Sequence, residues 1–104
     1  MYKFRKEKSE LQNYAEAVKW YRLAAEQAHP IAQKALGVMY KYGKGVPRDS
    51  VRSYIWYSIA IINGTKISPE QTDETAAKMT SADISEAQKM ARECMNSNYQ
   101  NCGW

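Results

Sequence analysis

An internal repeat restricts the fold of this chain more than any other feature of its sequence. Residues 13–24 align with residues 49–60 at an offset of 36. The matched aromatic and alanine positions are Trp20 with Trp56, Tyr21 with Tyr57, and Ala24 with Ala60. Self-similarity at a fixed period of about 20–50 residues is typical of array folds, in which each unit is a small supersecondary motif. A shorter echo, residues 1–4 against 39–42, indicates that the chain starts partway through a unit.

The complete unit is predicted to span residues 29–64 and to begin with an α-helix over residues 30–42. Ala32, Leu36 and Met39 follow one another at spacings of four and three, which places them on one face of a helix. The first residue of this helix is a proline, which is favoured there because its missing N–H would have no acceptor anyway. No run of alternating polar and apolar residues predicts a strand.

A second helix is predicted over residues 50–62, with Asp49 as its N-cap. Its counterpart in the preceding unit is predicted to begin at Asn13, with Glu16 completing a capping box. The sequence therefore predicts that each unit is a pair of helices.

Two more helices are predicted after residue 64. Ser68, followed by proline, opens the first of them, and Thr80 opens the second, which is predicted to run to about Asn96. The last helix is expected to present a polar outer face, formed by Ser85, Glu86, Lys89, Arg92 and Glu93.

The glycines of segment 34–46 are predicted to shape a helix–turn–helix corner. A phosphate-binding loop places its glycines before a helix, where backbone N–H groups are exposed. Gly43 instead follows an apolar helical run, so it is predicted to end that helix in the left-handed conformation. Gly37 lies inside the helix, where glycine costs about 1 kcal/mol relative to alanine. We expect another helix to approach closely there, and we expect no nucleotide or other cofactor.

Composition and motifs argue against several classes of protein. The net charge is +4, but the basic residues are spread along the chain and accompany no base-reading motif, so nucleic-acid binding is not expected. No apolar run approaches the roughly 20 residues that a membrane span needs. Two cysteines with one distant histidine do not form a zinc site, so no metal is expected. No hydrolase or metalloprotease motif is present, and the chain is not predicted to be an enzyme.

The repeated positions resemble the Sel-1-like repeat, a family of α-solenoids related to tetratricopeptide repeats. The positions that carry the resemblance are Ala32, Leu36, Gly37, Tyr40, Gly43, Gly45, Val46, Asp49, Trp56, Tyr57 and Ala60. Residues 79–92 resemble the helix that commonly closes bacterial arrays of this family. Ala28 departs from the pattern, because the family usually has glycine at that bend, and we expect the bend to be strained or differently shaped.

The resemblance implies an all-α fold, an α-solenoid of stacked antiparallel helix pairs with a C-terminal capping helix pair. We expect one domain over residues 1–104. It would consist of a partial repeat (1–28), a complete repeat (29–64), and capping helices with a tail (65–104). Because about three repeats are normally needed for a stable array, we expect this chain to be the C-terminal end of a longer bacterial array.

The resemblance also implies a non-catalytic scaffold that binds a protein or peptide partner on its concave helical surface. With Leu36 set inward, Lys34, Val38 and Lys41 point outward, and they are the expected partner-binding residues. Their charge favours an acidic or phosphorylated partner. Two alternatives stay open: the penicillin-binding or β-lactam-hydrolase activity associated with some exported relatives, and a purely structural cap of an array.

Aromatic residues at helical spacing are expected to form the core between helices. These residues are Trp20, Tyr21, Tyr40, Trp56 and Tyr57. At the upstream edge, Tyr2, Phe4, Trp20 and Tyr21 are also expected to leave apolar surface that a preceding repeat would cover. Self-association through this edge is therefore an open expectation.

Cys94 and Cys102 are the only two cysteines, and three states are open for them. A disulfide would pin the C-terminal tail to the last helix and would stabilise the fold by about 2.5 kcal/mol in the loop-closure model. The alternatives are free structural thiols and a metal or redox role. The exported relatives favour oxidation and a periplasmic or secreted location, while a cytoplasmic location stays open.

Overall fold

The structure is a computed structural model that describes residues 10–102. Its helices are α1 (Glu10–Ala25), α2 (Pro30–Tyr42), α3 (Ser50–Ile62), α4 (Pro69–Ala76) and α5 (Ser81–Asn96). No strand occurs in this described stretch, so the prediction of an all-α fold is confirmed. Tyr2 and Phe4, which were expected at the upstream edge, lie outside the described residues.

The bounds of α2, α3 and α5 agree with the sequence predictions, whereas the predicted start of α1 is wrong. The chain is already helical at Glu10, so Asn13 and Glu16 lie inside the helix and do not form a capping box at its start. The residues before Asn13 are Glu, Leu and Gln, all good helix formers. They extend the helix past a residue that would otherwise serve as a cap.

The predicted N-caps of α3 and α5 form side-chain hydrogen bonds, whereas Ser68 at the start of α4 forms none. Asp49 accepts a hydrogen bond from the Arg52 backbone N–H at 3.0 Å at the start of α3. Thr80 and Asp83 make a reciprocal capping box at the start of α5, with distances of 3.0 and 3.2 Å. Each bond satisfies a backbone donor that the first helical turn leaves open.

Two bends use the left-handed backbone conformation that ends helices. Gly43 ends α2 with φ of 69°, as predicted. Ala28 adopts φ of 65° between α1 and α2. The bend therefore has the shape that glycine would give it. Alanine in this conformation is strained, at a cost of about 1–3 kcal/mol.

One face of α2 packs against α1. Ala32, Leu36 and Tyr40 are buried and recur every four residues. The Tyr40 hydroxyl accepts a hydrogen bond from the Arg22 guanidinium of α1 at 3.3 Å. This face joins the two repeated units.

A second face of α2 packs against α3. The backbone oxygen of Gly37 accepts a hydrogen bond from the Ser53 hydroxyl at 2.7 Å. A Cβ atom added at Gly37 would lie 2.6 Å from Cδ1 of Tyr57. The predicted close approach at Gly37 is confirmed, and α2 is a central helix with neighbours on two sides.

The second half of the fold is built around α3, which also packs against α4 and α5. Trp56, Ile55 and Ile59 are almost completely buried, as are Ala87 and Ala91 on the inner side of α5. The outer face of α5 consists of exposed polar residues, as predicted; these are Ser85, Glu86, Lys89, Arg92 and Glu93.

The C-terminal tail folds back on the end of α5. Cys94 and Cys102 are disulfide-bonded, with their Cα atoms 4.4 Å apart, and both are buried. The Tyr99 backbone N–H donates to the Cys94 oxygen at 2.7 Å. Of the states open for the cysteine pair, the structure therefore contains the disulfide.

A chain of buried and partly buried hydrogen bonds connects this tail to both repeated units. The Asn63 amide donates to the Tyr99 hydroxyl at 3.0 Å and to the Gln33 side-chain oxygen at 2.9 Å. The Gln33 amide in turn donates to the backbone oxygen of Ala25, at the end of α1, at 3.0 Å. Because buried polar groups are costly when unpaired, these bonds favour one relative placement of α1, α2, α3 and the tail.

Candidate functional site

Residues 10–102 contain no group of three or more histidine, cysteine or acidic side chains placed to hold a metal ion. Within the same stretch, no helix is both long enough and apolar enough to cross a bilayer. Two surfaces are candidate sites, one at each end of α2.

The three residues expected to contact a partner do not share one environment. Lys34 and Val38 are half-buried on α2. Lys41 is buried, with only 9% of its surface exposed, so the expectation that it points outward is wrong. Lys41 lies one helical turn after Gly37 and therefore on the face that α3 approaches. The prediction assumed a single buried stripe through Leu36, whereas α2 has two.

Lys41, near the end of α2, forms an ion pair with Glu74 of α4. Its Nζ atom donates to Oε1 of Glu74 at 2.6 Å, while the Glu74 side chain is 64% exposed. Burial lowers the pKa of Lys41, but the hydrogen bond and the negative charge of Glu74 outweigh it, and the net pKa is raised. The same hydrogen bond and the charge of Lys41 lower the pKa of the Glu74 carboxyl.

Tyr57 lies beside this ion pair and brings a second polar group into the buried corner. Its ring packs on Gly37, and no group among the described residues forms a hydrogen bond with its buried hydroxyl. Burial raises the pKa of the Tyr57 phenol, while the nearby charge of Lys41 acts in the opposite direction. A buried hydroxyl without a partner is uncommon in folded proteins.

The rim of this corner is aromatic and basic. Tyr42 is 58% exposed, and its ring centre lies 5.3 Å from Nζ of Lys41 and 5.9 Å from Nζ of Lys44. Lys44 also lies 5.2 Å from the ring centre of Tyr14, on α1. These are distances at which a cation interacts with an aromatic ring.

The second surface surrounds Trp20, which was expected in the core and also among the residues that leave apolar surface at the upstream edge. Trp56 is 1% exposed, but Trp20, its equivalent in the preceding unit, is 69% exposed. The core expectation is therefore wrong for Trp20, whereas Tyr40, Trp56 and Tyr57 are buried as predicted. Trp20 is exposed because no described helix covers α1 as α2 covers α3.

Other apolar side chains extend the surface around Trp20. Leu23 is 53% exposed and Ile31 is 75% exposed. A groove of about 360 Å³ lies on one side of Trp20 and reaches Ile31, and another of about 420 Å³ reaches Glu16 and Leu23. Sequence reasoning missed Leu23 and Ile31, although the 36-residue offset pairs Leu23 with the buried Ile59 and so gave a signal for it.

Comparison with protein families identifies the repeat. A profile of the Sel1 repeat matches residues 7–29 and 30–64, which together are more than half of the chain, and the second match contains α2 and α3. Comparison with curated proteins and with solved structures gives no match. Sel1 repeats generally mediate protein–protein interaction. The family match, the helix pairs and the packing at Gly37 agree, and the chain belongs to the Sel1 repeat family.

Proposed function

We propose that this chain is a non-catalytic interaction scaffold that binds a helix of a protein partner on the surface around Trp20. The observation that carries the proposal is the exposed apolar surface formed by Trp20, Leu23 and Ile31. Contiguous exposed apolar patches on folded proteins are characteristic of interaction sites.

The repeat offset indicates what kind of element fits this surface. The face of α3 that lies against α2 is formed by Ser53, Trp56, Tyr57 and Ala60, and all four are buried. The equivalent residues of α1 are Ala17, Trp20, Tyr21 and Ala24, of which none is fully buried. A surface of the same design is therefore covered by a helix in the second unit, whereas no described helix covers it in the first.

The proposed occupant is an amphipathic helix of the α2 type, supplied by another protein. In the second unit Tyr57 packs directly on Gly37, with no room for a Cβ atom between them. Tyr21 occupies the equivalent position on α1, so the partner helix should carry glycine where it crosses Tyr21. Recognition of a helix through small and apolar residues at helical spacing is a common mode of peptide binding.

Lys34 and Val38 remain candidate contacts for a partner on the concave side. They are half-buried and lie one turn apart on α2. Replacing Lys34 by glutamate would reverse its charge without entering the buried face at Gly37. Replacing Lys41 in the same way would place two carboxylates together at Glu74, so this substitution tests stability and not binding.

The proposal is tested with a synthetic peptide that carries the α2 sequence, residues 29–43. The peptide is stapled between positions 31 and 35, away from the α3-facing side, because short isolated helices are marginal in water. Isothermal titration should detect binding to the wild-type chain. The Trp20→Glu variant should lose this binding, since the substitution places a charge at the centre of the apolar surface.

Two controls make the result specific. Ile62→Glu changes another exposed apolar residue, 63% exposed on α3, and should leave peptide binding unchanged. A peptide with Gly37→Leu should not bind, because its side chain would collide with Tyr21. The proposal is wrong if the wild-type chain fails to bind the stapled peptide, or if Trp20→Glu binds it as well as the wild type.

A further inference from the structure

The two side chains of the Lys41–Glu74 ion pair differ strongly in their exposure to solvent. The lysine is 9% exposed and the carboxylate is 64% exposed, although Nζ and Oε1 are only 2.6 Å apart. A lysine ammonium that loses hydration on burial is stabilised by an opposite charge. Lys41 therefore needs a carboxylate at this position, whereas Glu74 would be well hydrated without Lys41.

Glu74 belongs to an element that is weakly held. α4 has eight residues and packs chiefly on α3. Its N-cap residue, Ser68, forms no side-chain capping bond. Glu74 can therefore turn into solvent at little cost, provided that another carboxylate takes its place on Lys41.

The surroundings of Lys41 suit an acidic ligand. An ammonium carries three N–H donors, and among the described residues only Glu74 accepts a hydrogen bond from Lys41. Lys44 adds a second positive charge near the exposed Tyr42 ring, 5.9 Å from its centre. A segment with adjacent acidic side chains could therefore meet Lys41 and Lys44 together, with its backbone lying across Tyr42.

We propose that Lys41 is the binding site for a carboxylate side chain of an acidic protein partner, and that Glu74 occupies this site as an internal competitor in the free protein. The inference rests on the proposed function as an interaction scaffold, and adds a second contact and its chemistry. Neutral polar side chains would not replace Glu74, because they leave the buried ammonium without a compensating charge.

The test uses a fluorescein-labelled hexaglutamate peptide as the probe, with binding measured by fluorescence anisotropy at low salt. A hexaglutamine peptide of the same length serves as the uncharged reference. Glu74→Gln removes the competitor and should raise hexaglutamate affinity by about fivefold or more, which corresponds to a coupling of about 1 kcal/mol. Hexaglutamine should bind neither protein.

The matched control is Glu70→Gln, which makes the same change in net charge one turn earlier on α4. It should leave hexaglutamate affinity within about twofold of wild type, because it removes one negative charge without freeing the Lys41 ammonium from Glu74. The double variant Lys41→Met with Glu74→Gln should lose the gain. Equal affinities for Glu74→Gln and Glu70→Gln, or a gain that survives in the double variant, would overturn the proposal.

This test is independent of the stapled-peptide test. Ile31 and Lys41 lie at opposite ends of α2, about 15 Å apart along the helix axis. Hexaglutamate has no apolar side chain for the surface around Trp20, so Trp20→Glu should not remove the effect of Glu74→Gln. A negative result with hexaglutamate would exclude the Lys41 site alone, and a negative result with the stapled peptide would exclude the Trp20 surface alone.

Discussion

At the scale of single residues, Gly37 and Lys41 show how neighbours decide what a side chain does. Gly37 was recognisable from the sequence because a glycine inside an apolar helix carries a cost that close packing explains. Lys41 was not, because a lysine after an apolar stripe has the same local pattern whether it faces solvent or a neighbouring helix. Its burial depends on Glu74, which is 33 residues away in sequence.

Gly37→Ala should destabilise the fold, although alanine is the better helix former. In an open helix this change gains about 1 kcal/mol. Here the new Cβ atom would lie 2.6 Å from the Tyr57 ring, so we expect a net loss of about 1–3 kcal/mol from overpacking. Urea unfolding measures the change. Ser85→Ala, on the exposed face of α5, is the control and should change stability little; a stabilised Gly37→Ala would contradict the packing at this contact.

The Lys41–Glu74 pair should make stability depend on pH in the acid range. The folded state lowers the pKa of Glu74 below its ordinary 4.5, so the pair stabilises the fold above that pH. The contribution is lost as the pH falls through the folded-state pKa. The raised pKa of Lys41 acts at the other extreme, where stability is lost as the pH rises through the folded-state value.

Urea unfolding of the wild type and of Glu74→Gln at a series of pH values measures this effect. The wild type should be the more stable protein at neutral pH, and the difference should shrink below about pH 4.5. A difference that stays constant down to about pH 2 would show that the Glu74 charge does not contribute through this pair.

At the scale of elements, the sequence predicted the bounds of the helices better than the contacts between them. Asp49, Thr80 and Gly43 carry local signals that act within a few residues, so α2, α3 and α5 were predicted with their observed bounds. The start of α1 was wrong because Asn13 can cap a helix or lie inside one, and its local pattern does not decide between them. The two buried faces of α2 were not predictable from periodicity alone, since they depend on which helices lie on either side.

The Cys94–Cys102 disulfide holds the C-terminal tail against the end of α5. Cys102→Ser should destabilise the fold by about 2.5 kcal/mol, because the unfolded chain loses the constraint of its short loop. Thermal unfolding with and without dithiothreitol measures the effect. The reductant should lower the wild-type melting temperature toward that of Cys102→Ser and should leave the variant unchanged. A wild type that is insensitive to the reductant would mean that the tail is held by Tyr99 and its neighbours without the disulfide.

At the scale of the whole molecule, the helices form a linear series of contacts. α1 packs on α2, α2 on α3, and α3 on α4 and α5. In such solenoids stability is approximately a sum over neighbouring elements. Among the described helices, α1 has a major contact with α2 alone, and the apolar side chains around Trp20 are exposed on its other side. The family, the repeated helix pair and the apolar edge at Trp20 were readable from the sequence, but the exposure of Leu23 and Ile31 depended on which helices lie beside them.

We propose that the same surface allows the chain to associate with itself at high concentration. Two copies could bury their exposed Trp20 and Leu23 side chains against each other in a two-fold symmetric contact. Sedimentation velocity over a range of concentrations should show a monomer–dimer equilibrium for the wild type. Trp20→Glu should stay monomeric, while Ile62→Glu should behave as the wild type. Dimerisation that is unaffected by Trp20→Glu would place the contact elsewhere.

The proposed function depends on an exposed surface of α1 whose equivalent on α3 is covered by α2. Hydrogen exchange of the tryptophan indole N–H groups, followed by NMR and assigned with Trp20→Phe and Trp104→Phe, tests it most directly. We expect fast exchange at Trp20 and strong protection at Trp56. Adding the stapled α2 peptide should slow the exchange at Trp20. Equal protection of Trp20 and Trp56 in the dilute, peptide-free protein would contradict it.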